Sequence, residues 1–311
     1  MKRKMLNVPK GGYDGMKGFT IVEFLVAGLL SIIVLIAVVS SYFTSRKLND
    51  AANERLAIQQ DLRNAATLIV RDARMAGSFG CFNMSEHTEK DVVFDVAQKN
   101  RPFFLKGSSA NKLIPIAESL NIGYQGFAQV RPALIFQYGI DDVNASAETT
   151  VVSSCGVISK PGKQIPTLED AKKELKIQNS GKEQNGNIAR QRHVVNAYAV
   201  GRIAGEEGLF RFQLDDKGKW GNPQLLVKKV KRMDVRYIYV SSCPEDAGKE
   251  EQFKYTDKFD KSRDAVTPAG VEVLLDSGLD AKIAASSDNS IYAYRINATI
   301  RGGNVCANRT L

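Results

Sequence analysis

A run of apolar residues near the N-terminus is the strongest pattern in the chain. From Phe24 to Phe43, 20 residues pass without a charged side chain. At about 1.5 Å per residue, this run spans roughly 30 Å as a helix, which is one hydrocarbon core of a bilayer. It is too long and too apolar on every side for a buried core helix, and it lacks the A-x-A end of a cleaved secretory signal. The pattern predicts a helix that anchors the chain in a membrane.

The helical pattern continues beyond this run. Between Ser45 and Met75 there is no proline or glycine, and helix-favouring residues dominate. Apolar residues recur at helical spacing, at Leu48, Ala52, Leu62, Ala66, Ile69, Ala73 and Ala76. Gly77, directly after this stretch, is a typical residue at the C-terminal end of a helix. We therefore expect one helix from Thr20 to Ala76, about 85 Å long, whose second half buries one face against a sheet.

Strand and turn signals dominate the sequence after Cys81. Strands are predicted at residues 133–138, 149–152, 193–203, 208–214, 225–230, 233–240 and 291–301. Asp215 to Gly218 predicts a hairpin turn; a calcium loop is the alternative there, but further oxygen ligands at loop spacing are missing. The polar segment from Ser159 to Asn187 is expected on the surface, with a short helix at 167–175.

Strands that lie close together in sequence pair most readily in an antiparallel sheet. The expected fold class is therefore α+β, with the long N-terminal α-helix packed on an antiparallel β-sheet head that carries extended loops.

The net charge of +9 is concentrated towards the N-terminus. Residues 1–18 carry five basic residues and one acidic residue, which leaves +5 for the remainder. A basic N-terminal flank holds that side of a membrane helix in the cytoplasm, so everything after Ser45 is expected in the periplasm or outside the cell. The densest basic cluster, at residues 228–232, is expected to be a solvated strand edge or loop, with a phosphate-binding patch as the alternative.

The four cysteines, Cys81, Cys155, Cys243 and Cys306, form no C-x-x-C pair. With only two histidines in the chain, a metal site is not expected. An even number of scattered cysteines after a membrane segment fits two disulfides in an oxidising compartment. Three pairings are possible, and the sequence favours Cys81–Cys155 with Cys243–Cys306 because each closes a segment of similar size.

Motifs for catalysis are missing from the sequence. There is no G-x-S-x-G, H-E-x-x-H, P-loop or G-x-G-x-x-G pattern. His87 stands in a polar segment and is expected in solvent, and His193 is expected at a surface or sheet edge. We therefore expect no enzyme activity, no cofactor and no small-molecule substrate.

Glu23 interrupts the apolar pattern at the boundary of the membrane helix. A carboxylate at this depth is costly and is usually functional, with a partner that stabilises its charge. The alternative is an exposed charge at the level of the lipid headgroups.

The segment from Lys17 to Glu23, KGFTIVE, resembles the class III signal of type IV pilins and pseudopilins. This resemblance implies a leader at 1–18, a cut by prepilin peptidase between Gly18 and Phe19, and methylation of the new N-terminal amine of Phe19. A glycine before the cut lets the protease approach the backbone closely. The resemblance also implies that Glu23 faces the N-terminal ammonium of an adjacent subunit, so that their pairing selects the register of assembly.

Residues 70–81, VRDARMAGSFGC, resemble the RDLRMAG-(Y/F)-GC signature of the PilW group of minor pilins, to which the neisserial PilJ proteins belong. This PilW/PilJ resemblance implies a type IV pilin-like lollipop, with a membrane and filament-core half at 19–44, an amphipathic half at 45–77 and a head at 78–311. It also implies a pilus subunit, first in the inner membrane and then at the pilus tip. The alternative for Arg71, Asp72 and Arg74 is a charged helix end with no other role.

The implied partners are prepilin peptidase, other minor pilins, the major pilin and the inner membrane. With the other minor pilins, such a subunit primes pilus assembly and supports motility, adhesion or aggregation, and DNA uptake. One alternative is a minor pseudopilin of type II secretion. A second is a tip adhesin or DNA-binding module, which binds DNA or a host surface through the basic head.

Overall fold

The structure, a computed structural model, describes residues 18–93, 112–176, 187–242, 252–257, 259, 267–276, 294–300 and 303. It has a long N-terminal helix followed by a β-rich head, an α+β arrangement as the strand patterns predicted. The chain divides into two units, one up to Ala57 and one from Ile58 onwards. Every described strand lies in the second unit.

Helix α1 runs from Ile21 to Met75, one residue shorter at each end than the sequence predicted. It ends where Gly77 adopts a left-handed φ of 78°, and a Cβ at this glycine would lie 2.9 Å from the Pro115 side chain. Both the conformation and the close approach therefore require glycine. The Gly77 N–H donates to the Gln137 carbonyl at 2.8 Å, which turns the chain towards the head.

The part of α1 in the first unit has no buried side chain. Its most apolar window has a mean hydropathy of 2.9 and is 0% buried, unlike the core helix of a soluble protein. By length and composition, this helix could span a membrane.

The part of α1 in the second unit buries one face. Its buried residues follow helical spacing and are Ile58, Leu62, Ala65, Ile69, Asp72 and Ala73. Leu48 and Ala52, which were expected on this stripe, are exposed. The buried face therefore begins at Ile58, later than the apolar pattern predicted, and this is also the first residue of the second unit.

The strands fall into a two-stranded ribbon and two larger sheets. The ribbon is β1 (Ser78–Phe79) and β2 (Phe82–Asn83). The nine-stranded sheet contains β3 (Val92–Val93), β4 (Ile116–Ser119), β5 (Phe127–Gln129), β6 (Ala133–Ile140), β7 (Thr150–Ser153), β8 (Ile158–Ser159), β9 (Ala189–Ile203), β10 (Glu206–Leu214) and β11 (Trp220–Lys228). The second sheet contains β12 (Arg232–Ser242), β13 (Gln252–Thr256), β14 (Gly270–Asp276) and β15 (Tyr294–Thr299).

Strand β9 is the centre of the nine-stranded sheet. Its Tyr198 is paired with Leu134 of β6 on one side and with Arg211 of β10 on the other. Strands β5 and β7 also pair with β9, and all of these pairs are antiparallel. One pair departs from the prediction, since β3 and β8 run parallel.

The prediction of a single sheet was wrong, because β12, β14, β15 and β13 form an antiparallel sheet of their own. One core cluster contains buried residues of α1 and of both sheets, among them Ile69, Tyr198 and Val273. A hydrogen bond of 2.6 Å from the Tyr237 hydroxyl in β12 to the Glu118 carboxylate in β4 also joins the sheets.

The basic cluster at 228–232 lies in the connection between the two sheets. Lys228 and Lys231 are exposed, whereas Val230 between them is fully buried. Lys229 has a φ of 62°, and its N–H donates to the Glu207 carbonyl at 2.8 Å. The expectation of a solvated strand edge or loop is confirmed for the lysines, and Val230 anchors the connection in the core.

The polar segment that begins at Ser159 is only partly a surface feature. Its predicted short helix is α2 (Leu168–Glu174), and the Thr167 hydroxyl caps it by accepting from the Asp170 N–H at 3.1 Å. In contrast to the expected surface position, Ala171 and Leu175 are buried in a cluster with Val152.

The predicted hairpin turn joins β10 to β11. The Asp215 carboxylate accepts from the N–H groups of Lys217 and Lys219, at 2.9 and 2.7 Å. This carboxylate therefore stabilises the turn. In the described part of the chain, no three His, Cys, Asp or Glu side chains are grouped so as to hold a metal ion.

A disulfide joins Cys81 to Cys155 across a sequence separation of 74 residues. Beside it, the Ser153 hydroxyl donates to the Phe79 carbonyl at 2.7 Å. Together they hold the segment that follows α1 against the end of β7. This is the first of the two pairs that the sequence favoured, and Cys243 and Cys306 lie outside the described residues.

Candidate functional site

The residues of the pilin-like signal sit at the start of α1. Gly18 and Phe19 precede the helix and have no helical hydrogen bonding. A Cβ added to Gly18 would meet no atom within 4 Å, and the Phe19 side chain is 87% exposed. The peptide bond between them therefore lies in open, non-helical backbone.

Thr20 and Glu23 form a reciprocal hydrogen-bonded cap on the helix. The Glu23 Oε2 accepts from the Thr20 N–H and from the Thr20 hydroxyl, both at 3.0 Å. The Thr20 Oγ1 in turn accepts from the Glu23 N–H at 3.3 Å. This is a capping box, which satisfies donors that the first turn of a helix leaves unpaired. A carboxylate here also complements the positive end of the helix dipole.

The capping box gives Glu23 a role that the residue-by-residue reasoning missed. The signal was present in the sequence, since T-x-x-E directly before an apolar run is a capping-box pattern. Both hydrogen bonds from Thr20 are accepted by Oε2, so within the described residues Oε1 still has acceptor capacity. The cap is therefore compatible with a second partner for the same carboxylate.

The apolar half of α1 satisfies its own hydroxyl groups. Ser31 Oγ donates to the Ala27 carbonyl at 2.7 Å, and Thr44 Oγ1 donates to the Ser40 carbonyl at 2.9 Å. Such bonds to the preceding turn leave these hydroxyls without a need for water. The helix can therefore enter an apolar environment without unpaired donors at these two positions.

The other notable site on α1 is a buried carboxylate. Asp72 has 0% exposure and is the only acidic residue among the buried positions of α1. The alternative of a charged helix end with no other role was wrong for Asp72, whereas Arg71 and Arg74 are exposed. Burial of an unpaired carboxylate costs several kcal/mol, so the surroundings of Asp72 must supply donors.

Three neutral donors from the nine-stranded sheet surround Asp72. Its Oδ2 accepts from the Tyr198 hydroxyl at 2.6 Å and from Asn196 Nδ2 at 2.8 Å, both on β9. Its Oδ1 accepts from the Tyr138 hydroxyl on β6 at 2.9 Å. Burial, and next the negative charge of Asp72, raises the pKa of Tyr138 to about 12 and that of Tyr198 further still. Both phenols therefore keep the protons that they donate.

Two arginines complete the surroundings of Asp72. The Arg71 Nη2 lies 3.1 Å from Oδ1, and the Arg211 Nη2 on β10 lies 3.5 Å from Oδ2. We call Asp72, Tyr138, Asn196, Tyr198 and Arg211 the Asp72 network. It fixes α1 to three strands at once, since a shift of the helix by one residue would remove the carboxylate from all of its donors.

The positions of both histidines differ from the expectation. His193 is 2% exposed within β9, where its Nε2 lies 3.2 Å from the Gln137 Oε1. Burial lowers its pKa to about 3, so the ring is neutral at physiological pH. His87 is not free in solvent, because its ring stacks on Phe82 with centroids 4.2 Å apart, and its Nδ1 lies 3.4 Å from the Asp91 carboxylate.

The site residues thus separate into two groups on one helix. Gly18, Phe19 and Glu23 lie together at its exposed start, and the Asp72 network lies within the head. Comparison of the chain with protein-family models, curated proteins and solved structures gives no match in any of the three.

Proposed function

We propose that this chain is a membrane-anchored filament subunit, a minor pilin of the type IV pilus. The observation that carries the proposal is the start of α1. An open Gly18–Phe19 bond is followed directly by a capping box and then by an apolar helix with no buried side chain. Such a helix needs an apolar environment that the chain itself does not supply.

The proposed sequence of events uses these residues in order. The basic leader keeps the N-terminus in the cytoplasm and the head in the periplasm while the helix lies in the inner membrane. Prepilin peptidase cuts between Gly18 and Phe19 and methylates the amine of Phe19. The subunit then leaves the membrane with other minor pilins, primes the filament and stays at its tip.

In this proposal Glu23 acts twice. In the free subunit it caps α1 through Thr20. In the filament its carboxylate also faces the N-terminal ammonium of a neighbouring subunit, since two opposite charges in an apolar helix core are each costly unless they pair. That pairing sets the axial register of the new subunit.

The buried polar groups of the head support a structural role rather than catalysis. Asp72 binds donors that hold α1 to the sheet, and His193 is enclosed beside Gln137 and Phe79. Both side chains are enclosed, with exposures of 0% for Asp72 and 2% for His193. The head is therefore proposed to act by contact with other proteins.

Deletion of the gene, with complementation by variants, tests the proposal. The deletion strain should lose surface pili while type II secretion stays normal, and the wild-type gene should restore them. In a strain complemented with Gly18→Leu, an uncleaved precursor should accumulate, heavier by the 18 residues of the leader. The matched control Gly28→Leu changes a glycine that has equally open surroundings inside the helix, and its processing should be normal.

Two outcomes would overturn the proposal. Lost secretion with intact pili would assign the chain to a secretion pseudopilus instead. Normal processing of Gly18→Leu would mean that the proposed cut is wrong.

A further inference from the structure

A polar cleft lies between the nine-stranded sheet and the second sheet. Its volume is about 440 Å³, and residues of both sheets line it. Glu118 of β4 lines one side with Arg131 and Pro132 of the connection between β5 and β6, and the other side includes Arg236, Asp257 and Leu274. We call this the inter-sheet cleft. A volume of several hundred cubic ångströms is typical of a site for a small molecule.

The charges that line the inter-sheet cleft balance one another. Three arginines and three carboxylates contribute to its wall, namely Arg131, Arg232, Arg236, Glu118, Asp234 and Asp257. A site for a phosphate polymer or an acidic peptide needs an excess of positive charge, which this set of residues lacks. Guanidinium groups donate hydrogen bonds and carboxylates accept them, so together they suit the hydroxyl group, which does both. The cleft therefore fits an uncharged ligand that is rich in hydroxyls.

Two of these charged groups keep hydrogen-bonding capacity towards a ligand. The Asp257 side chain is exposed, and its Oδ1 lies 3.4 Å from Arg236 Nε. The Arg131 side chain is half-exposed, and its Nε lies 3.9 Å from the Asp234 Oδ1, which is beyond hydrogen-bond distance. A ligand can therefore bind the Asp257 Oδ2 and the Arg131 guanidinium without the loss of a strong internal hydrogen bond.

An ion-pair ladder holds the second-sheet side of the cleft in place. Glu272 on β14 is buried, and its two oxygens lie 3.5 Å from Arg236 Nη1 and 3.2 Å from Arg295 Nε. Arg236 is thus bound on both sides, to Glu272 and to Asp257 directly after β13. A side chain that is already held loses little conformational entropy when a ligand binds.

Two exposed aromatic rings continue the cleft along β13. Phe253 is 50% exposed and Tyr255 is 58% exposed. Tyr255 is paired with Ile238 of β12, which shares a face of the sheet with Arg236 because residues two apart in a strand lie on one face. From Phe253 to Asp257 the strand direction covers about 14 Å, the length of a short oligosaccharide. Sugar rings have apolar C–H faces that pack on aromatic rings, and their hydroxyls bind polar groups.

We propose that the inter-sheet cleft binds an uncharged oligosaccharide. Tyr255 packs against the face of one sugar ring. The ring that enters the cleft forms hydrogen bonds with Arg131, Arg236 and Asp257. The inference goes beyond the proposed function, which gives the head contacts with other proteins, by adding a glycan ligand. It is tested on the purified chain, so its failure is distinct from the failure of the proposed function in cells.

The experiment is binding of the full chain to a glycan array. The purified protein is kept in a detergent without a sugar headgroup, because a maltoside or glucoside would compete for the site. The array carries neutral oligosaccharides that end in glucose, galactose, mannose or N-acetylhexosamine, together with sialylated and sulfated ones. The wild type should bind at least one neutral glycan, with the same affinity at about 50 mM and about 500 mM salt, because salt does not screen an uncharged ligand.

Variants at exposed positions test the two parts of the site. Tyr255→Ala and Asp257→Ala should each weaken binding of that neutral glycan by at least about tenfold, whereas Tyr255→Phe keeps the ring and should retain most of the binding. Leu168→Ala and Asp216→Ala change exposed side chains outside the cleft, and binding should be unchanged. Thermal unfolding checks that each variant is folded. If Tyr255→Ala does not fold, Arg131→Ala takes its place and should weaken binding likewise.

Three results would overturn the proposal. They are a wild-type chain that binds no neutral glycan on the array, binding that the cleft variants leave unchanged, and binding confined to sialylated or sulfated glycans that disappears at about 500 mM salt. The last result would assign the chain an anionic ligand instead.

Discussion

The two halves of α1 place a carboxylate in opposite environments. Glu23 is exposed, and its hydrogen-bond partner is Thr20, three residues away in the chain. Asp72 is fully buried, and its partners Tyr138, Asn196 and Tyr198 are 66, 124 and 126 residues away. A carboxylate at the start of a helix can find hydrogen-bond donors within the same turn, whereas a carboxylate on the buried face needs donors from several strands of the sheet.

The same difference holds for the apolar residues. In the first half of α1 they face outwards on all sides, and only a membrane or neighbouring helices can cover them. In the second half they occupy one stripe that the two sheets of the head cover. One continuous helix thus combines a part whose partners lie outside the chain with a part whose partners lie inside it.

The largest effect is expected from the removal of the Asp72 carboxylate. Asp72→Ala removes the acceptor of the buried Tyr138 and Tyr198 hydroxyls and leaves Asn196 with the Tyr138 hydroxyl oxygen as its remaining acceptor. It should lower the free energy of unfolding by about 4 kcal/mol. Urea unfolding in detergent, followed by the fluorescence of the single Trp220, measures this change. Asp216→Ala in the exposed hairpin should change stability by no more than about 0.5 kcal/mol. Equal midpoints for both variants would mean that the Asp72 network does not hold α1 to the sheet.

A smaller effect should appear when the pH falls. The pKa of His193 is lowered to about 3 in the folded protein but is near 6.5 when the chain unfolds, so the unfolded state binds more protons between these values. The contribution of His193 to the free energy of unfolding is complete above about pH 6.5 and is lost as the pH falls towards 3. The loss at pH 5 should be about 2 kcal/mol.

This dependence belongs to the head and is measured by unfolding at a series of pH values. His193→Gln cannot titrate, so its stability should vary less with pH than that of the wild type, whatever its stability at pH 7. A pH slope that the substitution leaves unchanged would show that other groups cause it.

The smallest effect on stability is expected at the start of α1. Thr20→Val removes the capping hydroxyl and should cost about 1 kcal/mol of local helix stability, with no change in the unfolding midpoint of the head. Amide hydrogen exchange over the first turn is the measurement, and Thr20→Ser is the control that keeps the cap. Equal exchange rates in all three proteins would exclude a role for the cap.

Glu23→Val tests the second role that we propose for the Glu23 carboxylate, its pairing with the N-terminal ammonium of a neighbouring subunit. Because Gly18, Phe19 and the apolar helix are unchanged, the proposed cleavage and membrane insertion should be normal. Incorporation into pili should fall, which immunoblots of sheared pili against whole cells measure. Normal incorporation would mean that Glu23 acts as a helix cap alone.

The local features of this chain were largely readable from the sequence. The bounds of α1, the hairpin at Asp215 and the short helix α2 agree with the predictions within about one residue, because each depends on side chains a few positions apart. The capping box was equally readable and was overlooked. Strand β14 was missed altogether, although its run from Val271 to Leu275 is short and largely apolar, because such a run is ambiguous without its neighbours.

The non-local features were not readable. The pattern V-R-D-A-R gave no sign that Asp72 is buried while Arg71 is exposed, since both suit the end of a helix. The sequence likewise did not show whether His193 is buried, because its strand could lie at the edge or in the centre of the sheet. The choice depends on which strands flank β9, and these include β6, whose Gln137 lies 56 residues before His193.

By itself, the sequence determined where the long helix begins and ends, that its first half is apolar on every side, and that a β-rich head follows. These depend on periodicity and composition, which act over a few turns of chain. Only the tertiary structure decided that burial of α1 starts at Ile58, that the strands divide into two sheets, and that Asp72 is enclosed by donors from β6, β9 and β10. A buried carboxylate is stable only where side chains from distant parts of the chain donate hydrogen bonds to it, and a local sequence pattern does not show which side chains these are.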